Sequence, residues 1–519
     1  MSSRVEISKK LVLINSASSI AARVLNISVL VWLQQYLLAH ISAEEYSLYP
    51  LLVAVLVFVP LITSILTWGL GRYVVEAYAR GDEQRVTRIV STMVPLLSGV
   101  ALLLVAGGAL LAWNIDRFLT IAPERVWDAR FMLMVMVFSA AARLPLAPYG
   151  LGLYVRQKFV LQNSLQVVGE LMRIGLLLTL LLGVSTRVIW VPVAQAAAYL
   201  SIEVVRIIIS RRLIPALRWR RGMFDWSIAR EVSTFGAWNF VNQAAETVRT
   251  AADPIILNKL AGAAAAVQVT CFHLGHLAYY HIAAVAYMAT GPVKPVLTAL
   301  HATGDRPRLG RAYVRGCRYG LWTALLAGVP LMVFAREFFT LYTDARYLPA
   351  ATVMTLLLAQ YPLSFTSLLL PSIAEAQAQL RAITLISLLM NVLNIGLSIY
   401  LVGALGLGAM GAALARLIIS ILSQPLYMPL GIRLAGVSWR TWLRETLWLG
   451  WAPALAAAPV WLAARWLLRP DDWLSLGACF LLGAVAYLGS LLLFCLEPHE
   501  RADLRRVAVF LRLAPAPGS

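Results

Sequence analysis

From Leu96 to Leu111 the chain runs without one charged side chain, and stretches of this kind recur along its whole length. A helix crossing ~30 Å of hydrocarbon needs about 20 such residues. Segments 11–38, 48–71, 89–113, 131–153, 160–184, 188–209, 231–258, 262–290, 316–335, 349–371, 382–402, 408–430, 445–464 and 473–496 meet that requirement. They are too long for strands and lack period-two alternation. The expected fold class is therefore an all-α polytopic membrane protein with about 14 transmembrane helices. The four cysteines (Cys271, Cys317, Cys479, Cys495) lie in or beside these segments without CxxC spacing, which excludes a disulfide scaffold. The first run is too long for a cleavable signal peptide and contains Arg23 and Asn26.

The net charge of +19 is a topology signal. With the N-terminus in the cytoplasm, 30 of the 44 basic residues fall on cytoplasmic segments, nine fall outside, and Arg23, Arg143, Arg173, Arg249 and Arg416 lie within the membrane. That asymmetry follows the positive-inside rule and returns both termini to the cytoplasm, the expectation for a bacterial inner-membrane protein. It removes the nucleic-acid reading and leaves binding of anionic membrane lipids as a second role for the basic loops. The longest connections, Asn114 to Asp128 and Ser210 to Arg230, are too short for a catalytic domain. With no phosphate loop, nucleophile elbow or paired-carboxylate motif, neither an enzyme nor a cofactor is expected.

A repeat of about 220 residues divides the chain. Asn163, Gln166, Glu170 and Arg173 are spaced 3, 4, 3, and Thr384, Ser387, Asn391 and Asn394 repeat that spacing at a constant offset of 221. Gly81-Asp82 recurs as Gly304-Asp305, Asn15 as Asn239 and Pro145 as Pro362. Two parallel-repeat six-helix bundles are expected, residues 1–222 and 223–440, followed by a C-terminal helix pair with a basic tail, residues 441–519. Substrate sites in such transporters lie between the halves near the midplane.

Polar residues inside these apolar segments are costly unless paired or wet. Segment seven carries Asn239, Asn242, Glu246, Arg249 and Asp253 within an arc of about 80°. Segment one places Asn15, Ser19, Arg23 and Asn26 on one face. Such stripes face protein or water. A shared aqueous cavity explains them better than helix-helix hydrogen bonding, the competing explanation. Glu170 with Arg173, Glu203 with Arg206, Glu246 with Arg249, and Arg249 with Asp253 stand three or four apart and can neutralise each other. Arg23, Arg143 and Arg416 have no such partner, and a guanidinium forks well onto phosphate or carboxylate. Arg23, Arg143, Arg249, Arg416, Asn26 and Asn242 are the candidate substrate-binding residues. Glu246, Asp253, Glu170, His273 and His276 are candidates for coupling to a proton. His281 lies about 80° from His273 and no carboxylate joins the histidines, so no metal site is expected.

Leu38-Ala-His-Ile-Ser-Ala-Glu-Glu-Tyr-Ser-Leu-Tyr49 resembles the loop after helix one in the multidrug/oligosaccharidyl-lipid/polysaccharide exporter superfamily, usually close to L-G-x-x-E-Y-G-x-Y. Ser42 and Ser47 stand where the family has glycine. Trp68-Gly-Leu-Gly-Arg-Tyr73 with Gly81-Asp82, and Phe235-Gly-Ala-Trp238 with Asp253, Pro295 and Gly304-Asp305, are similar to the motifs of the two halves. Within the superfamily the chain looks most like the polysaccharide (O-antigen-type) lipid-linked oligosaccharide flippases. The resemblance implies two six-helix lobes around a cationic cavity, with Arg23 and Arg249 matching the family's cavity arginines. It also implies a polyprenyl-diphosphate-linked glycan as substrate, with a polysaccharide polymerase or export machinery as partner. The helix count is similar to that of the lipid II flippases. A cation-coupled multidrug antiporter of the same superfamily and a non-transporting scaffold of a polysaccharide synthase complex remain open alternatives.

Overall fold

A computed structural model of the chain describes residues 34–501, apart from 157, 292, 303, 378, 498 and 499. At some helical positions, 234–243, 245, 246 and 249 among them, the backbone alone is described. Helices account for nearly all of the described residues, and none of these residues is in a strand. Eight helices are long and apolar enough to cross a membrane, or ten if each of two bent pairs counts as one span. The expected count of 14 is thus met in part. Segment one lies for the most part outside the described residues. Phe58–Ala79, Trp226–Leu260 and Ala265–Thr290 are helical but are not among the eight. In the latter two, a polar stripe and three histidines offset the apolar residues.

Hydropathy finds the hydrocarbon-facing part of a helix and not its ends. The residues left between segments eight and nine, 291–315, hold the short helix Val293–Ala302 and the first turns of Arg306–Val333. The two bent pairs turn by 60° between Arg143 and Ala147 and by 72° between Val333 and Ala335. Pro145 and Pro148 account for the first bend. Each lacks a backbone donor, so Pro145 interrupts the helical hydrogen bonds after Arg143 and Pro148 opens the 3₁₀ turn that follows.

The repeat is visible in the backbone. Gly81 (φ 76°) and Gly304 (φ 73°) both take the left-handed conformation that glycine adopts without strain. The aspartates that follow accept from Arg85 N–H (2.8 Å) and Arg308 N–H (3.1 Å), capping Glu83–Trp113 and Arg306–Val333. Those helices end at Asn114 (φ −103°) and Phe334 (φ −102°), and each leads into a short helix, Ile115–Phe118 and Ala335–Tyr342. The next span of each half is interrupted by a 3₁₀ turn, Ala147–Leu151 and Phe365–Ser367.

The described residues fall into two compact units. One runs up to His273 and takes in Asn391–Ala412, while the other holds Leu274–Met390 and the chain from Ala413 onward. On two helices burial is inverted relative to a soluble protein. On Leu380–Ile399 the buried residues are Asn391, Asn394 and Ser398, whereas Leu385, Leu388, Leu389 and Val392 are exposed. On Phe159–Gly183, Glu170 and Arg173 are buried while Val168, Leu171 and Leu182 face outward. Polar stripes turn inward because hydrocarbon offers them no hydrogen bonds.

Candidate functional site

In the first unit, Glu170 and Arg173 form a buried ion pair of 2.8 Å one turn apart on Phe159–Gly183. The adjacent helix Trp190–Leu213 contributes Tyr199, whose hydroxyl donates to Glu170 Oε1 at 3.3 Å. The Arg143 guanidinium lies 5.5 Å from the centre of the Tyr199 ring. Tyr49 donates to Gln195 Oε1 at 3.3 Å and lies within Coulombic reach of both Glu170 and Arg173. Two sequence candidates, Glu170 and Arg143, thus meet through an aromatic residue that the sequence did not single out. Tyr199 follows Gln195 by one turn and precedes Glu203 by another, and that spacing was the available signal.

Arg143 stands out among these groups. It is exposed at the end of Val126–Arg143, where the span bends. Among the described residues it has no carboxylate within ion-pair distance, so its charge is compensated only by the face of Tyr199. Glu203 and Arg206 pair at 2.5 Å, as their spacing suggested.

Asp253 is fully buried on Trp226–Leu260 and accepts from the Ser398 hydroxyl at 3.1 Å. Arg416, on Gly408–Ala435, is 3% exposed. His273 and His276 are half-buried on Ala265–Thr290, with the His276 ring 5.8 Å from Tyr279 and 6.5 Å from Tyr280. Among the described residues, no group of three or more His, Cys, Asp or Glu side chains could hold a metal ion. Arg23 and Asn26 lie outside the described residues, as do the side chains of Asn242, Glu246 and Arg249.

Two ionic networks escaped the sequence reading. Glu45, from the Glu-Glu-Tyr motif after segment one, is buried and accepts from Val188 N–H at 2.7 Å. Its other oxygen pairs with Arg125 (3.0 Å), which also reaches Asp128 (3.4 Å), and Asp128 pairs with Arg187. Three connections expected on the external side therefore meet at one carboxylate. A fourth joins them through Asn258, which exchanges hydrogen bonds with the Thr120 backbone at 2.8 and 2.9 Å.

The second network lies in the other unit. Arg318, fully buried, pairs at 2.5 Å with Glu500, which stands beyond the last span. Arg315 pairs with Glu497 at 3.1 Å, and Tyr319 donates to Glu500 at 2.5 Å. Burial pushes the Glu500 carboxyl up. The Tyr319 hydroxyl, the Glu497 N–H and the Arg318 guanidinium outweigh it and hold the group below its ordinary value. Partners separated by 182 residues leave no sequence signal.

No family model matches the chain. A curated relative, the uncharacterized membrane protein EpsK of Bacillus subtilis (strain 168), is 22% identical over 499 residues, covering 95% of this chain and 97% of that protein. Among solved structures, the lipid II flippase MurJ in an inward closed conformation superposes with a TM-score of 0.68 at 13% identity, covering 96% of this chain and 100% of that one. An inward-facing multidrug resistance MATE family transporter of the MOP superfamily superposes with a TM-score of 0.61 at 13% identity, covering 81% of this chain and 98% of that one. The chain has the polytopic helical fold shared by these transporters.

Proposed function

We propose that the chain is a flippase moving an undecaprenyl-diphosphate-linked oligosaccharide or polysaccharide precursor across a bacterial inner membrane by alternating access. The observation that carries this reading is Arg143: an exposed guanidinium within a span, without a carboxylate partner among the described residues and braced on an aromatic face. An intramembrane cation of this kind favours an anionic ligand, and a lipid diphosphate crossing the low-dielectric midplane needs such compensation. The comparisons add support. The match to a lipid II flippase extends over 96% of the chain, whereas the match to a MATE transporter covers 81%.

In this reading Arg143 acts with Arg23, Arg249, Arg416, Asn26 and Asn242 on the anionic headgroup. Glu170, Glu246, Asp253, His273 and His276 couple the cycle to protons, and residues 1–222 rock against 223–440. Both termini are cytoplasmic, a placement supported by the uneven distribution of the basic residues; the contacts around Glu45 and Asn258 are consistent with their four connections sharing one side. A polysaccharide polymerase or export machinery takes up the delivered glycan.

The test is accumulation of lipid-linked oligosaccharide in the cytoplasmic leaflet of cells carrying each variant. Arg23→Ala should abolish export, and Arg143→Ala and Arg416→Ala should weaken it in proteins that still insert. Arg143→Lys should keep part of the activity, because an ammonium cannot fork onto phosphate. Full export by well-expressed Arg23→Ala and Arg143→Ala proteins would overturn the reading in favour of the multidrug antiporter or the scaffold.

A further inference from the structure

We infer that the connection between helices Trp190–Leu213 and Trp226–Leu260 is a docking surface for anionic phospholipid headgroups. Arg218, Arg220 and Arg221 in the connection, with Arg211, Arg212 and Arg230 on the adjoining helix ends, are all exposed, and among the described residues none has a carboxylate within ion-pair distance. The two acids of the region are already engaged from the first turns of Glu83–Trp113: Asp225 by Arg88 at 4.0 Å and Glu231 by Arg85 at 3.5 Å. Among the described residues no carboxylate compensates this positive charge, and Arg211 alone has an aromatic face near it, the Tyr149 ring at 6.0 Å.

The same connection exposes large aromatic side chains. Trp219 is 48% exposed, Trp226 is 68% exposed, and Phe224 stacks at 6.2 Å on Trp226. Apolar surface displayed beside clustered arginine needs a cover that is apolar at one level and anionic at the next. A membrane interface has that profile, since tryptophan settles at headgroup depth and arginine reaches the phosphates. Twelve residues separate the end of Trp190–Leu213 from Trp226, and several of them are packed back onto the helices, which keeps these side chains near the span end.

The backbone presents this surface rigidly. Ile214, Ala216 and Leu217 are buried in the core. Thr87 donates to Ala216 O at 2.9 Å, Ser91 accepts from Arg220 N–H at 2.9 Å, and Thr92 accepts from Asp225 N–H at 3.0 Å. A pinned basic and aromatic ledge at a span end fits lipid better than a protein partner, because tryptophan and arginine side by side match the apolar-to-anionic profile of a headgroup layer. The inference does not depend on what the chain transports.

The full chain in detergent, titrated with phosphatidylglycerol or phosphatidylcholine and followed by native mass spectrometry, tests it. The intact protein should bind phosphatidylglycerol more tightly than phosphatidylcholine. Replacing three arginines together, Arg218→Gln with Arg220→Gln and Arg221→Gln, should weaken phosphatidylglycerol binding at least about fivefold, since each arginine near an anionic surface contributes roughly that factor before screening. Phosphatidylcholine binding should stay constant and report an intact fold. A control with Arg306→Gln, Arg308→Gln and Arg311→Gln, in the first turns of Arg306–Val333, should keep the preference. Undiminished phosphatidylglycerol binding in the first variant would overturn the inference and point to a protein partner. An equal loss in the control would also overturn it, by showing that overall charge alone sets the preference.

Discussion

The helices Phe159–Gly183 and Leu380–Ile399 occupy corresponding places in the repeat but bury different chemistry. At the positions where the first buries Glu170 and Arg173, the second buries Asn391 and Asn394. The capping turns of Asp82 and Asp305 are, by contrast, nearly superimposable in their dihedral angles. The second half places its buried charge elsewhere. Glu83–Trp113 has no charged residue beyond Arg88, whereas Arg306–Val333 carries Arg315 and Arg318 deeper along its length to meet Glu497 and Glu500. A repeat thus preserves what the backbone requires, the turns and the inward face of each helix. The identity of a buried group is free to diverge as long as its partner changes with it.

The largest effect should come from making the first half resemble the second one residue at a time. Arg173→Asn leaves Glu170 buried without its guanidinium and should cost about 3–5 kcal/mol, read as a lower thermal midpoint of the purified protein. Adding Glu170→Asn removes the stranded charge and should recover most of that loss. If the double variant is no more stable than the single one, the two helices are not interchangeable in the way the repeat implies.

Charge in the second half can be broken from outside the membrane. Glu500→Gln leaves Arg318 buried with half its compensation and should cost about 3 kcal/mol. Acid should have the same effect reversibly. The folded carboxyl titrates below its ordinary 4.5, so the pair contributes fully above that pH and loses its contribution as pH falls through the lower folded value. A thermal midpoint that declines on acidification as steeply in Glu500→Gln as in the unaltered protein would remove this group from the account.

The smallest effect should be the same in both halves. Gly81→Ala and Gly304→Ala put a Cβ on a left-handed residue with no neighbour within 4 Å of it, so strain alone acts. Each should cost about 1 kcal/mol. A clear difference between the two midpoints would show that the turns are alike in shape only.

The sequence by itself determined the all-α polytopic class, the repeat, and the direction in which the polar stripes of Phe159–Gly183 and Leu380–Ile399 face. Hydropathy and helical period are properties of one segment against its solvent, and lipid is an unforgiving solvent for an unpaired polar group. The burial of Glu170, Arg173, Asn391 and Asn394 was legible for that reason, and so was the pairing of Glu203 with Arg206 across one turn. The sequence could not show that Tyr199 joins Arg143 to Glu170, that Asp253 accepts from Ser398, or that Glu45 gathers several connections. It also left Arg143 and Arg416 equivalent, while the fold exposes the first and buries the second. These outcomes depend on which helix packs beside which, and contacts between residues up to 182 positions apart follow no period along the chain. A segment's own pattern fixes the face it buries, and only the packed neighbour decides what that face meets.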